Sequence, residues 1–170
     1  MSRANAGGSG RYGGFQLTAL VALRMLVGWH FLYEGLAKVT NPLWTSVGYL
    51  QESQGWLSGL FRSLSVSPGA LGVVDLLNEW GLMAIGLALL VGVFTRVAAV
   101  AGAAMLALYY LAAPPFPGLE YAMPTEGSYL IVNKVLVELA AMLVILALPT
   151  SRQIGLDRLL AKPQAAVEEA

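Results

Sequence analysis

The sequence contains no cysteine and a single histidine, His30, among its 170 residues. Without cysteine the chain can form no disulfide, has no thiol nucleophile and cannot ligate an iron–sulfur cluster with its own thiolates. A single histidine also excludes bis-histidine ligation of a haem within the chain, and a zinc site would need carboxylates beside His30. We therefore expect no haem or iron–sulfur cluster ligated by this chain alone, and we assign no residue to a metal site.

Charged residues are scarce as well. They make up 12% of the sequence, against about 25% in an ordinary soluble domain, whereas 57% of the residues are hydrophobic. The formal net charge is zero, so the composition gives no reason to expect nucleic acid as a partner. The sequence therefore predicts an integral membrane protein, with the lipid bilayer as its first partner.

The chain contains several long apolar runs. They predict an all-α fold, namely a four-helix bundle that is integral to the membrane. We expect spans at about residues 17–37, 72–94, 97–113 and 129–148, which together form a membrane domain over 17–150. Residues 1–16 are rich in glycine, serine and alanine and predict a flexible tail, and residues 151–170 form a second tail.

The segment between the first two spans, residues 39 to about 70, is aromatic rather than merely hydrophilic. Two short amphipathic patterns, at residues 43–50 and 56–64, predict that this loop is structured. Such a loop has two interpretations, a belt that anchors the protein at the membrane interface or a lid over a site.

Basic residues indicate the orientation of the bundle. Loops rich in lysine and arginine remain in the cytoplasm, and the side of the bundle that holds both termini has most of the basic residues. We therefore predict a multi-pass protein of the inner (cytoplasmic) membrane with both termini in the cytoplasm and the aromatic loop outside. The basic residues on the terminal side are Arg3, Arg11, Arg96, Arg152, Arg158 and Lys162.

The first span carries a stripe of polar residues that an apolar helix rarely holds. A charged side chain near the bilayer centre costs at least ~2.5–3.5 kcal/mol, so it usually faces protein or water. At 100° per residue the stripe lies on the same side as Gly28 and Gly35. Its members are Arg24, His30, Glu34 and Lys38.

The predicted orientation brings further polar residues to the same outer depth. Span two begins with Asp75, Asn78 and Glu79, and span four begins with Asn133, Lys134 and Glu138. His30 lies ~10 Å of helical rise from the outer end of its span and Glu138 ~13 Å from the outer end of its own. An imidazole beside a buried carboxylate can handle protons, so we predict that His30 and Glu138 form such a pair.

We assign catalytic roles to His30, Glu138 and Lys134. The predicted quinone- or substrate-binding residues are Glu34, Lys38, Glu79, Asn133 and Arg24. Structural roles are open for all of them, because a core histidine needs a hydrogen-bond partner and ion pairs make insertion tolerable. Arg24 lies nearer the inner end, where a carboxylate or a lipid headgroup is an alternative partner.

Four motifs in the chain resemble the DoxX/DoxD-type small membrane proteins. The first is Arg24-x3-Gly28-x2-Phe31-x3-Gly35-x2-Lys38, and the others are Asn78-Glu79, Gly86-x5-Gly92-x2-Thr95-Arg96 and Asn133-Lys134-x3-Glu138. The resemblance covers about residues 17–150, and the segments at 44–50 and 126–130 are closer to the DoxD branch. DoxD is the small membrane subunit of thiosulfate:quinone oxidoreductase. The resemblance thus implies a four-helix membrane bundle, quinone-linked oxidation, often of sulfur compounds, and a second protein subunit.

We hypothesise a membrane subunit of a quinone-linked oxidoreductase that acts on thiosulfate or a related sulfur compound with a partner subunit. Because the chain lacks cysteine, a mechanism that holds sulfane sulfur would belong to the partner. The alternative is a non-catalytic assembly or anchor subunit of a larger respiratory membrane complex, whose ion pairs specify helix pairing. A small transporter or proton conductor is a third hypothesis, which the absence of paired broken helices disfavours.

Overall fold

The computed structural model describes residues 12–122 and 130–160, and these residues form helices and no β-strand. Residues 1–11 and 161–170 of the two predicted tails, and the predicted start of the fourth span with the segment 126–129, lie outside the described residues, whereas residues 14–16 of the first tail belong to α1. In chain order the elements are α1 (Gly14–Val39), α2 (Val47–Gln51), α3 (Ser58–Val66), α4 (Pro68–Leu76), a π-helical segment (Leu77–Gly81), α5 (Leu82–Val91), α6 (Thr95–Ala112), α7 (Lys134–Ala147) and α8 (Asp157–Leu160).

Helix α1 has one buried side and one exposed side, as its polar stripe predicts. Its 26 residues give about 39 Å of rise, enough to cross the ~30 Å hydrocarbon layer. One side carries exposed Leu26, Trp29 and Tyr33, which suit contact with lipid. The buried residues of the other side are Arg24, Val27, Gly28, Phe31 and Gly35.

Helices α4 and α5 join through the π-helical segment into one continuous helix, Pro68–Val91. Pro68 begins this helix because the first helical position needs no intrahelical N–H bond. Gly92 ends it with a φ of 72°, a left-handed conformation that side chains oppose. The helix thus begins four residues before the predicted second span and ends three residues before the predicted end.

Two pairs of helices pack closely because glycine lets their backbones approach. A Cβ on Gly28 would lie 3.2 Å from the carbonyl oxygen of Gly86, and one on Gly35 would lie 2.7 Å from the backbone nitrogen of Met83. Gly102 of α6 similarly receives the side chain of Met142 from α7. Helix α1 therefore packs along α5 and α6 along α7, around a shared core. Buried members of that core are Val27, Phe31, Leu82, Ile85, Leu89, Ala98, Ala99, Leu106, Met142 and Ile145.

Three helices are long and apolar enough to cross a membrane, namely α1, the Pro68–Val91 helix and α6. The prediction of an all-helical multi-pass membrane protein is therefore confirmed, with three candidate spans in the described residues. Helix α7 has 14 residues and covers only ~21 Å, so the fourth span stays a prediction. We call the end where α1 ends and α7 begins the loop end, and the opposite end, with Arg96 and Arg152, the basic end.

The C-terminal segment, residues 149–160, folds over the α5–α6 turn at the basic end. The backbone N–H of Asp157 donates to the carbonyl oxygen of Gly92 at 2.8 Å. The Asp157 carboxylate accepts the N–H groups of Phe94 and Thr95 at 2.8 and 3.3 Å. Asp157 therefore caps the start of α6, whose own N-cap residue, Phe94, has no side chain that accepts hydrogen bonds.

Replacing Asp157 by Ala should lower the free energy of unfolding by about 1 kcal/mol, because α6 loses its cap. Burial works to raise the pKa of the Asp157 carboxyl, but the Ser151 hydroxyl and the two N–H groups outweigh it and hold that pKa below 3.8. The stabilisation is thus complete above pH 3.8 and is lost as the pH falls through the lowered pKa.

Thermal unfolding in detergent as a function of pH measures both effects. Asp157→Asn is the matched variant, since its amide oxygen still accepts hydrogen bonds but cannot ionise. It should retain most of the stability at neutral pH and remove the acid-dependent part. An alanine variant as stable as the wild type at neutral pH would contradict the capping role.

Candidate functional site

The loop end of the bundle contains a cavity of about 640 Å³. Side chains from α1, the Pro68–Val91 helix, α6 and α7 form its walls, and α2 and α3 close it. Most of the lining is apolar, with Phe31, Leu82 and Leu106 among the contributing core residues. The ionisable residues of the lining, the two tyrosines apart, are His30, Glu34, Lys38, Lys134 and Glu138.

His30 and Glu138 meet across this cavity from two different helices. The imidazole Nε2 lies 3.1 Å from Oε1 of Glu138, which is hydrogen-bond distance. Their side chains are 34% and 20% exposed, so the pair is partly shielded yet open to the cavity. The structure thus brings together the two residues that the sequence places at similar depth. An imidazole and a carboxylate in this arrangement can hold a proton between them and pass it to a third group.

Glu34 and Lys38 form a second pair within α1. Nζ of Lys38 donates to Oε2 of Glu34 at 2.7 Å and lies 5.6 Å from the centre of the Trp44 ring. Glu34 also interacts electrostatically with His30 and Lys134. The two pairs therefore form one charged group at the polar end of the cavity, in which cations and carboxylates compensate one another.

Lys134 begins α7 one turn before Glu138, so both side chains line the same cavity. Asn133, Glu79 and Arg24 do not line it. Asn133 instead caps α7, its side-chain oxygen accepting the N–H of Leu136 at 2.9 Å. Glu79 belongs to the π-helical segment, where its carbonyl oxygen faces Gly35 of α1.

Arg24 lies at the basic end, since six residues of α1, or ~9 Å of rise, separate it from His30. It is 2% exposed, and its guanidinium donates to the hydroxyl of Thr150 at 3.1 Å. Arg24 also interacts electrostatically with Asp157. Of the two alternative partners of Arg24, a carboxylate and a lipid headgroup, the structure therefore provides the carboxylate. This position joins Arg24 to the C-terminal segment rather than to the cavity.

A tyrosine and an asparagine to which the sequence assigns no site role also line the cavity. The hydroxyl of Tyr109 donates to the side-chain oxygen of Asn78 at 2.5 Å. The hydroxyl of Tyr49 donates to the backbone oxygen of Tyr109 at 2.9 Å, and burial raises the pKa of the Tyr49 phenol. Tyr109 lies three residues after the buried Leu106, on the same side of α6. A tyrosine on the buried side of an apolar helix needs a hydrogen-bond partner, and this pattern in the sequence could have identified Tyr109.

Residues 40–67, which we call the cover, are anchored over the cavity by Asp75. Its carboxylate accepts the Thr45 hydroxyl at 2.9 Å, and the backbone N–H of Ser46 at 2.8 Å. The Ser46 hydroxyl donates to it as well. At the far end of the cover, Leu50 and Phe61 pack on Ala112. The cover thus forms a wall of the cavity, while Leu43, Trp56 and Val66 stay exposed on its outer side.

Replacing Asp75 by Ala should release this wall, because three hydrogen bonds to one carboxylate are lost together. We expect faster amide hydrogen exchange over residues 45–51 and a loss of about 1–3 kcal/mol in the free energy of unfolding. Thr45→Val is the matched control, since it removes two exposed bonds, to Asp75 and from the N–H of Val47, and keeps both bonds that Ser46 donates. It should change exchange little beyond Val47. Equal protection in wild type and Asp75→Ala would show that packing alone holds the cover.

Within residues 12–122 and 130–160, no group of three histidine, aspartate or glutamate side chains is placed to hold a metal ion. A cofactor or substrate in this cavity would meet a largely apolar lining with the polar groups of His30, Glu34, Lys38, Lys134 and Glu138.

The family model for DoxX matches residues 19–114, which is more than half of the chain. No curated protein and no solved structure matches. The match contains His30, Glu34, Lys38, Asn78 and Tyr109, whereas Lys134 and Glu138 lie beyond it. DoxX proteins are membrane proteins often associated with oxidoreductase-related functions. In agreement with its motifs and its apolar helices, this chain belongs to the DoxX family.

Proposed function

We propose that this protein is the membrane subunit of a quinone-linked oxidoreductase and that it binds its quinone in the cavity at the loop end. The observation that carries the proposal is the His30–Glu138 pair, 3.1 Å apart, on the wall of a largely apolar cavity of about 640 Å³. Small-molecule sites typically combine such a volume and apolar lining with a few polar groups.

A quinone accepts two electrons and two protons when it becomes a hydroquinone, and returns them when it is reoxidised. Its ring and tail require apolar surroundings, which Phe31, Leu82 and Leu106 supply. Its two carbonyl oxygens accept hydrogen bonds, which His30 and Lys134 of the lining can donate. The residues present therefore fit the chemistry of this ligand class.

In this proposal His30 and Glu138 hold the proton at Nε2 and Oε1, at the distance over which it can move. Lys134 contributes a second donor one helical turn away. Glu34 offsets the charge of Lys38 through their 2.7 Å contact, so that an uncharged ligand meets a balanced site. Tyr109 and Asn78 add a further polar pair to the lining, in which the phenol donates to the amide oxygen.

The electron donor in this proposal is thiosulfate or a related sulfur compound, oxidised by a partner subunit. The chain has no cysteine with which to hold sulfane sulfur or ligate a cluster, so that chemistry belongs to the partner. We further propose that α7, with residues before it, completes a fourth span. The basic end then faces the cytoplasm of an inner membrane, because it carries Arg96, Arg152 and Arg158.

Cross-linking with a photoreactive quinone analogue tests where the ligand binds. Purified protein should be labelled on peptides from α1, α7 and the cover, and excess unmodified decylubiquinone should suppress the label. Labelling that decylubiquinone does not suppress would contradict a specific site. A stoichiometric large partner, with no quinone retained or bound by the chain, would instead favour the assembly or anchor function.

A further inference from the structure

A second cavity, of about 290 Å³, lies at the basic end of the bundle. The α5–α6 turn and the first residues of α6 form one side, and the C-terminal segment forms the other. It is separate from the loop-end cavity, because the two share no lining residue. Its lining residues are Phe94, Thr95, Arg96, Val97, Pro149, Ser151, Arg152 and Asp157.

The charge of this cavity is unbalanced toward the positive side. Arg96 and Arg152 both line it and are exposed, and in the described part of the chain neither has an ion pair. Asp157 is the one carboxylate of the lining, and it already accepts the backbone N–H groups of Phe94 and Thr95. With two arginines and one carboxylate, the lining is net positive, which favours an anion as its ligand.

An apolar surface continues from this cavity along α6. Phe94, Val97 and Val100 are 65%, 67% and 54% exposed. Val97 and Val100 are three residues apart, so they follow one face of a helix that is long and apolar enough to cross a membrane. The cavity therefore joins a cationic pocket to a surface that suits hydrocarbon chains.

We propose that this cavity binds the phosphate of an anionic glycerophospholipid. Arg96 and Arg152 contact the phosphate, and the acyl chains lie along the exposed face of α6. Free phosphate shares the anionic chemistry of the headgroup but has no chains for that face, so the apolar surface favours the lipid. The bound lipid would join the α5–α6 turn to the C-terminal segment by an ionic contact that spans both.

Native mass spectrometry of the purified full chain, titrated with phosphatidylglycerol, tests this site. Arg96→Gln and Arg152→Gln should each weaken phosphatidylglycerol binding by about fivefold, the effect expected for one basic residue at an anionic membrane surface. Arg158→Gln is the matched control, because it removes the same charge near the same end from a residue that does not line the cavity. Its binding should equal that of the wild type.

Two further measurements distinguish a lipid headgroup from free phosphate as the bound anion. Phosphatidylcholine has the same phosphate with a compensating trimethylammonium group, so it should bind the wild type more weakly than phosphatidylglycerol does, and inorganic phosphate should not displace phosphatidylglycerol. An equal loss in all three arginine variants would reduce the effect to general surface charge and overturn the site. Unchanged binding in Arg96→Gln and Arg152→Gln would overturn it too, and displacement by inorganic phosphate alone would assign the cavity to a free anion.

Discussion

Replacing Glu138 by Gln is expected to lower quinone-linked turnover by about 100-fold or more, the usual effect of removing a general acid or base. The glutamine is isosteric, so the helix should insert and pack as before, but the side chain can no longer take the proton from Nε2 of His30. His30→Ala should have the same effect, because the two groups act as one unit across 3.1 Å. The measurement is decylubiquinone reduction by thiosulfate in membranes that contain the chain and its partner.

Binding provides a readout that does not depend on the electron donor. His30→Ala should weaken decylubiquinone binding to the purified chain by about two- to tenfold, since a hydrogen bond contributes ~0.5–1.5 kcal/mol. Glu120→Gln, at an exposed carboxylate outside the cavity, is the control. The double variant should lose no more turnover than either single one. Wild-type rates in both single variants would remove the pair from the mechanism.

Gly86→Ala is expected to lower the stability of the bundle strongly. A Cβ on Gly86 would collide with the backbone of Leu32 and lie 2.7 Å from the carbonyl oxygen of Gly28. These atoms are backbone and cannot rotate away, so α1 would have to separate from α5. Overpacking typically costs about 1–3 kcal/mol, and we expect the upper part of that range or more.

Gly72→Ala is the matched control for this prediction. Gly72 lies in the same continuous helix, and a Cβ there would meet no atom within 4 Å. Alanine should therefore keep or raise stability, by about 0.5–1 kcal/mol for a helix-interior glycine. The measurement is unfolding in detergent of both variants and the wild type. Equal stabilities for Gly86→Ala and Gly72→Ala would show that α1 and α5 tolerate separation.

The sequence predicts one side of α1 well because helical geometry is local. A rotation of 100° per residue places Arg24, Gly28, Phe31 and Gly35 on one side, and these residues are buried in the structure. Hydropathy likewise predicts membrane spans, since apolar length is a property of the segment alone. The His30–Glu138 contact needed one further assumption, that helices of known orientation lie side by side.

The remaining features depend on contacts that no single segment encodes. Asp157 caps a helix that begins more than sixty residues earlier, and Asp75 anchors a loop some thirty residues away. Asn78 lies in a π-helical segment, whose altered period no apolar pattern predicts. The same limit explains Glu79 and Asn133, which the sequence groups with the site by depth but which do not line the cavity.

The two ion pairs of the cavity differ in when they become available during synthesis. Glu34 and Lys38 lie on one helical turn, so this pair can neutralise itself as soon as α1 forms. His30 must wait for Glu138, which the ribosome delivers 108 residues later, after the Pro68–Val91 helix and α6 have emerged. Helix α7, the last long helix to be made, therefore completes the lining of the cavity, and a chain that ends before α7 leaves the imidazole of His30 without the Glu138 carboxylate.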